Sequence, residues 1–163
     1  MNHEANKLAF TSLNRERYFE DYVEGDVHDL GEVAVDKLEM VKYAKRFDPQ
    51  AIHIDEEKAK QGPFGGIIAS GWYTGSLAMT LFVSHYLSDV SSMASPGFDG
   101  LKWLAPVRAG DRLKVKTTVT STLRSKSKPD RGVVKTFLDI RNQDHVSVMT
   151  IDAVNIIALR PIK

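Results

Sequence analysis

The sequence predicts an α+β domain in which an antiparallel sheet packs against one long apolar helix, and three observations point there. From Phe64 to Ser88 run 25 residues without Asp, Glu, Lys or Arg. Beyond that stretch the hydrophobic period changes to two, as on half-buried strands. Those strands follow one another through short turns, which is the order of an antiparallel sheet and not the strand–helix alternation of a parallel one.

Taken along the chain, residues 1–17 show no period and read as a flexible lead-in to a single domain over 18–163. Val27 to Val35 reads as a strand. Asp36, with Glu39 three places on, forms a capping box that opens a helix running to Phe47. Met40, Tyr43, Ala44 and Phe47 fall on its apolar face, and Pro49 ends it by forcing the preceding residue out of the helical region. Asp55 is placed to cap a short helix that Gly62 and Pro63 close. The long helix runs from about Ser70 to Leu87 and is apolar almost all round, so it belongs in a core or in a membrane. Ser70, Thr74, Ser76, Thr80 and Ser84 interrupt it and no basic anchor follows it, which favours the core. Ser91 to Gly97 reads as a loop, Phe98 to Ala105 as a strand and Pro106 to Gly110 as a turn. Leu113 to Leu123 alternates apolar with polar on a long strand. Lys126 to Gly132 is a polar hairpin turn, and Val133–Arg141 and Val146–Leu159 complete the sheet around the helix.

Composition excludes several functions. At 163 residues, 42% hydrophobic and 26% charged, the chain is an ordinary globular domain rather than a disordered one. Lys and Arg number 22 against 21 Asp and Glu, so no overall field attracts nucleic acid or an acidic membrane. The chain has no Cys, which removes thiol nucleophiles and disulfides. The segment MNHEANKLAF is no export signal, and with no membrane signal the cytoplasm is the expected location. No phosphate-cradling glycine loop occurs. Neither Ser70 nor Ser76 has the glycines of a nucleophile elbow. His53 and Asp55 have no third ligand nearby, so neither a metal nor a cofactor is expected.

The informative segment is Phe47-Asp48-Pro49-Gln50-Ala51-Ile52-His53-Ile54-Asp55. Pro49 keeps it out of a helix, so an irregular loop can aim Asp48 and His53 at one point. Imidazole changes charge near neutral pH, and a carboxylate beside it can take a proton from water. Spacing alone favours a plainer reading, with Asp48 capping a turn and His53 packed neutral in the core. Gly66, Gly71 and Gly75 crowd the start of the long helix, although an interior glycine costs about 1 kcal/mol against alanine. Close backbone packing is one reason for them; a ligand approaching the backbone is another.

FDPQAIHID, followed by GPFGGIIASGW and LKWLAPVRAGDRL, resembles the MaoC-like dehydratases, the family that includes the (R)-specific enoyl-CoA hydratases. The resemblance runs from about Tyr18 to Leu159. The family's Asp-x-Asn-Pro-x-His keeps its aspartate and histidine here as Asp48 and His53, while Gln50 stands for the asparagine and Ala51 for the proline. It implies a hot-dog fold working as a homodimer or a dimer-based assembly. It further implies that Asp48 and His53 are catalytic, adding water to a 2-enoyl thioester of coenzyme A or acyl carrier protein, or removing it. Gly71 then offers its backbone N–H to the thioester carbonyl, with Gly75 left for packing. Gln50, Ser70 and Trp72 are candidate substrate contacts, Ser70 alternatively being the helix N-cap. Trp72, Trp103 and Phe98 are expected in the core or a dimer interface before the acyl pocket. The hairpin Arg124–Arg131 reads as a solvated turn, with coenzyme A phosphates as the functional alternative. Two other functions remain in view: thioester hydrolysis, which in such folds uses a carboxylate near the central helix, and non-catalytic binding of acyl thioesters. The carboxylate next after Glu57 is Asp89, beyond that helix, which weighs against hydrolysis.

Overall fold

In the computed structural model, which describes residues 14–162, five strands form one sheet. They are β1 (Val27–Ala34), β2 (Ser92–Trp103), β3 (Arg112–Arg124), β4 (Arg131–Arg141) and β5 (Ser147–Ala158). Their spatial order is β1-β3-β4-β5-β2 and every pairing is antiparallel. Four helices, α1 (Lys37–Phe47), α2 (Ala51–Ile54), α3 (Glu56–Gln61) and α4 (Gly71–His85), lie between β1 and β2 in the chain. Alternate residues of the strands, among them Val115, Leu138, Ile140, Met149 and Ile151, are buried in one core with Tyr73, Leu77, Ala78 and Phe82 of α4. A sheet curled on one helix is the hot-dog arrangement implied by the family resemblance.

Most of the expected elements form, with instructive departures. Asp36 accepts from the Glu39 N–H at 2.8 Å, but the other half of the capping box does not close: the Glu39 carboxylate takes the Tyr73 hydroxyl instead, tying α1 to α4. Met40 and Ala44 are buried as the period requires, whereas Phe47, at the helix end, is exposed. Residues 51–54, expected as irregular loop, form the one-turn helix α2, because Pro49 breaks α1 without preventing a new turn that starts after it. β2 begins at Ser92 and absorbs the expected loop. Its register shifts at Ala94 and again by Gly97, and the Ser95 hydroxyl bonds the Val154 carbonyl across the irregularity. Pro96, lacking an N–H, is tolerated because β2 is an edge strand. Nor is α4 covered on every side: Met79 and Val83 face out, on the side away from the sheet. At 15 residues it is too short to span a bilayer, and among the described residues no helix is long and apolar enough to do so.

The C-terminal end of α4 is held by a buried polar cluster. Its last carbonyls have no partner within the helix. The Arg17 guanidinium donates to the His85 and Tyr86 carbonyls at 2.7 and 3.0 Å, and the Tyr22 hydroxyl to the Tyr86 carbonyl at 2.9 Å. Ser88 and Ser91 in turn donate to the Arg17 carbonyl. Of the expected lead-in, residues 1–13 lie outside the described residues, Asn14–Glu16 forms a single turn without a buried residue, and Arg17 is buried at 5% exposure. The charge at a helix C-terminus and the satisfied carbonyls both stabilise α4. Replacing Arg17 by Met is expected to lower unfolding stability by about 1.5–3 kcal/mol, the usual range for a hydrogen bond to a charged group. The check is the urea midpoint at unchanged slope; an unmoved midpoint contradicts this role.

Candidate active site

Asp48 is the C-cap of α1 and His53 sits on α2, so the break at Pro49 turns the two side chains toward each other. Asp48 Oδ2 lies 3.3 Å from His53 Nε2. The imidazole is 5% exposed and its other nitrogen, Nδ1, is 2.8 Å from the Ile68 carbonyl. A carbonyl only accepts, so Nδ1 carries a proton and, in the neutral ring, Nε2 presents a lone pair to the carboxylate. Backbone pairing fixes this frame: the Ile68 N–H donates to the Ile52 carbonyl and the Ala69 N–H to the Val107 carbonyl, so the segment before α4 is clamped between α2 and the turn before β3.

The carboxylate is held from both sides. Gln50 Nε2 donates to Oδ1 and the Ser70 hydroxyl to Oδ2, each at 2.7 Å. Ser70 is fully buried and also accepts the Trp72 N–H, making it the N-cap of α4. The hydrogen bonds from Gln50 and Ser70, with the nearby His53, hold the Asp48 carboxyl below the ordinary carboxylate range. Of the two roles weighed for Ser70, the structure shows the cap, and adds a bond to the dyad; its side chain does not line the cavity.

Asp48, Gln50 and His53 open on a cavity of about 430 Å³. Its wall is apolar, including Phe64, Ile68, Ala69, Leu104, Val107 and Val148, and Gly71, Trp72 and Trp103 stand along its side. The N-terminus of α4 faces this space, and among the described residues the Gly71 N–H has no hydrogen-bond partner. Gly71 is glycine for a visible reason: a Cβ there would fall 2.2 Å from Trp103 Nε1 and 2.4 Å from Cε2. Gly75 is a milder case, its Cβ meeting the Met149 methyl at 3.3 Å. The packing explanation of these glycines therefore holds at both.

Of the two places expected for Trp72 and Trp103, core or dimer interface, the core is not where they lie. Trp72 and Trp103 are 55% and 48% exposed, stack edge to face at 5.3 Å between ring centres, and border the cavity instead of filling the core. Sequence reasoning also missed the Ile68 carbonyl, which no side-chain pattern could signal. The basic hairpin Arg124–Arg131 lies at the Ser92 end of the sheet, opposite the Trp103 end that borders the cavity, with Arg124 paired to Glu20 and Arg131 to Asp130. Within one chain it is a solvated turn. Among the described residues no group of three His, Asp or Glu is arranged to hold a metal.

The pattern of the family described as "MaoC like domain" matches residues 20–138, which takes in the dyad, α4 and most of the sheet. The chain belongs to the MaoC-like domain family. Its fold superimposes on the crystal structure of the MaoC-like dehydratase from Rhodospirillum rubrum with a TM-score of 0.83 and 36% identity, over 90% of this chain and 99% of that one. It is 30% identical over 130 residues to YdeM of Bacillus subtilis, an uncharacterized protein, covering 79% of this chain and 90% of YdeM. Over a shorter stretch of 73 residues it is 34% identical to 3-hydroxyacyl-thioester dehydratase Z of Mycobacterium tuberculosis, 44% of this chain and 48% of that one. In this MaoC-like domain Gln50, where the sequence departs from the motif it resembles, reaches Asp48 with its amide.

Because folding lowers the Asp48 pKa, ionised Asp48 favours the folded state above the unfolded carboxyl's value of about 3.9, and that contribution is lost as pH falls through the lower folded value. Ser70→Ala removes one of the two donors. The Asp48 carboxyl titration, followed by carbon NMR, is expected to move to higher pH in this variant; a midpoint unchanged from wild type contradicts the hydrogen-bond explanation.

Proposed function

We propose that this chain adds water to a 2-enoyl thioester, or removes it from a 3-hydroxyacyl thioester, with Asp48 and His53 as the acid/base pair. The observation that carries this reading is two acceptor atoms, Asp48 Oδ2 and His53 Nε2, side by side at the edge of an apolar cavity. A water has two O–H bonds and can give one to each, which holds it in place with its oxygen lone pairs directed away from the pair. Similarity to a protein named as a 3-hydroxyacyl-thioester dehydratase supports the substrate class.

The apolar walls suit an acyl chain, and the thioester carbonyl accepts from the Gly71 N–H at the positive end of α4. As the water oxygen bonds to C3, one of its protons passes to the dyad. The C2=C3 electrons move onto C2 and the carbonyl oxygen, where the Gly71 N–H and the helix dipole stabilise the growing charge. A proton returned to C2 completes the addition of one OH and one H, and dehydration retraces these steps. Gln50 and Ser70 keep Asp48 ionised and aimed, Ser70 acting through Asp48 without touching the substrate. Gln50 and Trp72 flank the bound thioester. The carrier is coenzyme A or acyl carrier protein.

The protein acts as a homodimer in this reading. β2 is a 12-residue edge strand left unpaired on its outer side, and Met93, Phe98 and Trp103 on it are exposed together with Met79 and Val83 of α4. Such an edge invites a second copy. Sedimentation equilibrium is expected to give twice the chain mass, and Phe98→Lys to shift it toward monomer; a wild-type monomer contradicts the assignment.

Loss of the 2-enoyl-CoA absorbance, over a panel of chain lengths, tests the activity. Asp48→Asn and His53→Ala are each expected to lower kcat by about 10²–10⁴-fold, the usual range for acid/base catalysis, with folding retained. Full activity in either variant contradicts the dyad. Release of free thiol in place of water addition favours hydrolysis, for which α4 offers no carboxylate between Gly71 and His85.

A further inference from the structure

Trp103 is the last residue of β2 and is paired in register with Met149. It borders the cavity, and its indole occupies the space that a side chain at position 71 would take, with Nε1 the nearest of its atoms. In the first residue of a helix, with helical φ, the N–H and the Cα–Cβ direction lie on the same side of the N–Cα bond. Trp103 Nε1, 2.2 Å from the position that a Gly71 Cβ would take, therefore lies on the same side of the residue as the Gly71 N–H. Among the described residues the Trp103 N–H has no acceptor. Two donors, one from the backbone and one from an indole, thus lie close together along the cavity that Asp48 and His53 also line.

We infer that Trp103 is a second hydrogen-bond donor to the substrate's thioester carbonyl, its Nε1–H acting with the Gly71 N–H. This rests on the hydratase reading and adds a catalytic residue to it. An indole is donor only, so it cannot compete with Gly71 for a proton and always offers one to an oxygen placed between them. The indole meets Trp72 edge to face, at 82° between ring planes, and the atoms it turns to Gly71 are Nε1, Cε2 and Cδ1 of its five-membered ring. The arrangement explains why an indole stands at 103 with half its surface exposed, and why position 71 has no side chain. Negative charge that develops on the carbonyl oxygen as water adds to C3 is then shared between two fixed donors, each acting most strongly in the transition state.

Trp103→Phe keeps an aromatic wall and the contact with Trp72 but deletes the N–H. In the full-length protein, kcat for 2-enoyl-CoA hydration is expected to fall by about 10²-fold, the lower end of the range for losing one such donor, with KM changed less than kcat. Trp103→His, which restores a ring N–H, is expected to recover part of that loss. A second readout needs no turnover. A 2,4-dienoyl-CoA bound to Asp48→Asn protein shows its conjugated absorption band shifted to longer wavelength when its carbonyl is polarised. The shift is expected to shrink when Trp103→Phe is added. A Trp103→Phe protein with wild-type kcat and an undiminished band shift overturns the assignment. If wild type hydrates no member of the panel, the hydratase reading fails on its own, and the donor role is still decided by the band shift. If the dienoyl thioester neither binds nor shifts, the donor role is overturned too.

Discussion

The hydrogen bond from His53 Nδ1 to the Ile68 carbonyl is the constraint on which the rest of the site depends. It makes Nδ1 the donor to a backbone carbonyl, and so turns Nε2 toward a carboxylate oxygen 3.3 Å away. The ring is buried, and both side chains open on the cavity alongside.

The fold serves this one contact. The Ile68 carbonyl is aimed by backbone pairing of residues 68 and 69 with Ile52 and Val107, which lie far apart in the chain. Asp48 is aimed by the end of α1 on one side and by the cap of α4 on the other, since the Ser70 oxygen takes the Trp72 N–H while its proton goes to Asp48. The helix start, the carboxylate and the imidazole are therefore one connected unit. The far end of α4 is secured independently by Arg17 and Tyr22, so the helix is held at both ends across the curve of the sheet.

Much of this was legible in the sequence. The capping residues Asp36 and Asp55 and the alternation from Leu113 to Leu123 located helices and strands, because those signals are local and set by backbone hydrogen bonding. The proline break, with an aspartate before it and a histidine four residues after it, allowed the two side chains to meet, and the family resemblance made them the candidate pair. What was hidden depends on contacts between distant residues. The start of β2 looked like a loop, since Ser, Pro and Gly are turn residues and only the partner β5 and the bulged register make them a strand. Trp103 was expected in the core or a dimer interface, because apolarity alone does not say that its indole will lie against Gly71. The open side of α4 looked buried, because a uniformly apolar helix carries no mark of which face meets the sheet and which is left exposed.

The most direct test of the account is a crystal structure of the chain with a bound 3-hydroxyacyl-CoA. The C3 hydroxyl is expected between Asp48 Oδ2 and His53 Nε2, within about 2.6–3.2 Å of both, with the thioester carbonyl oxygen on the Gly71 N–H. A thioester bound in the cavity with its C3 hydroxyl turned away from that pair, or bound elsewhere on the protein, would contradict it.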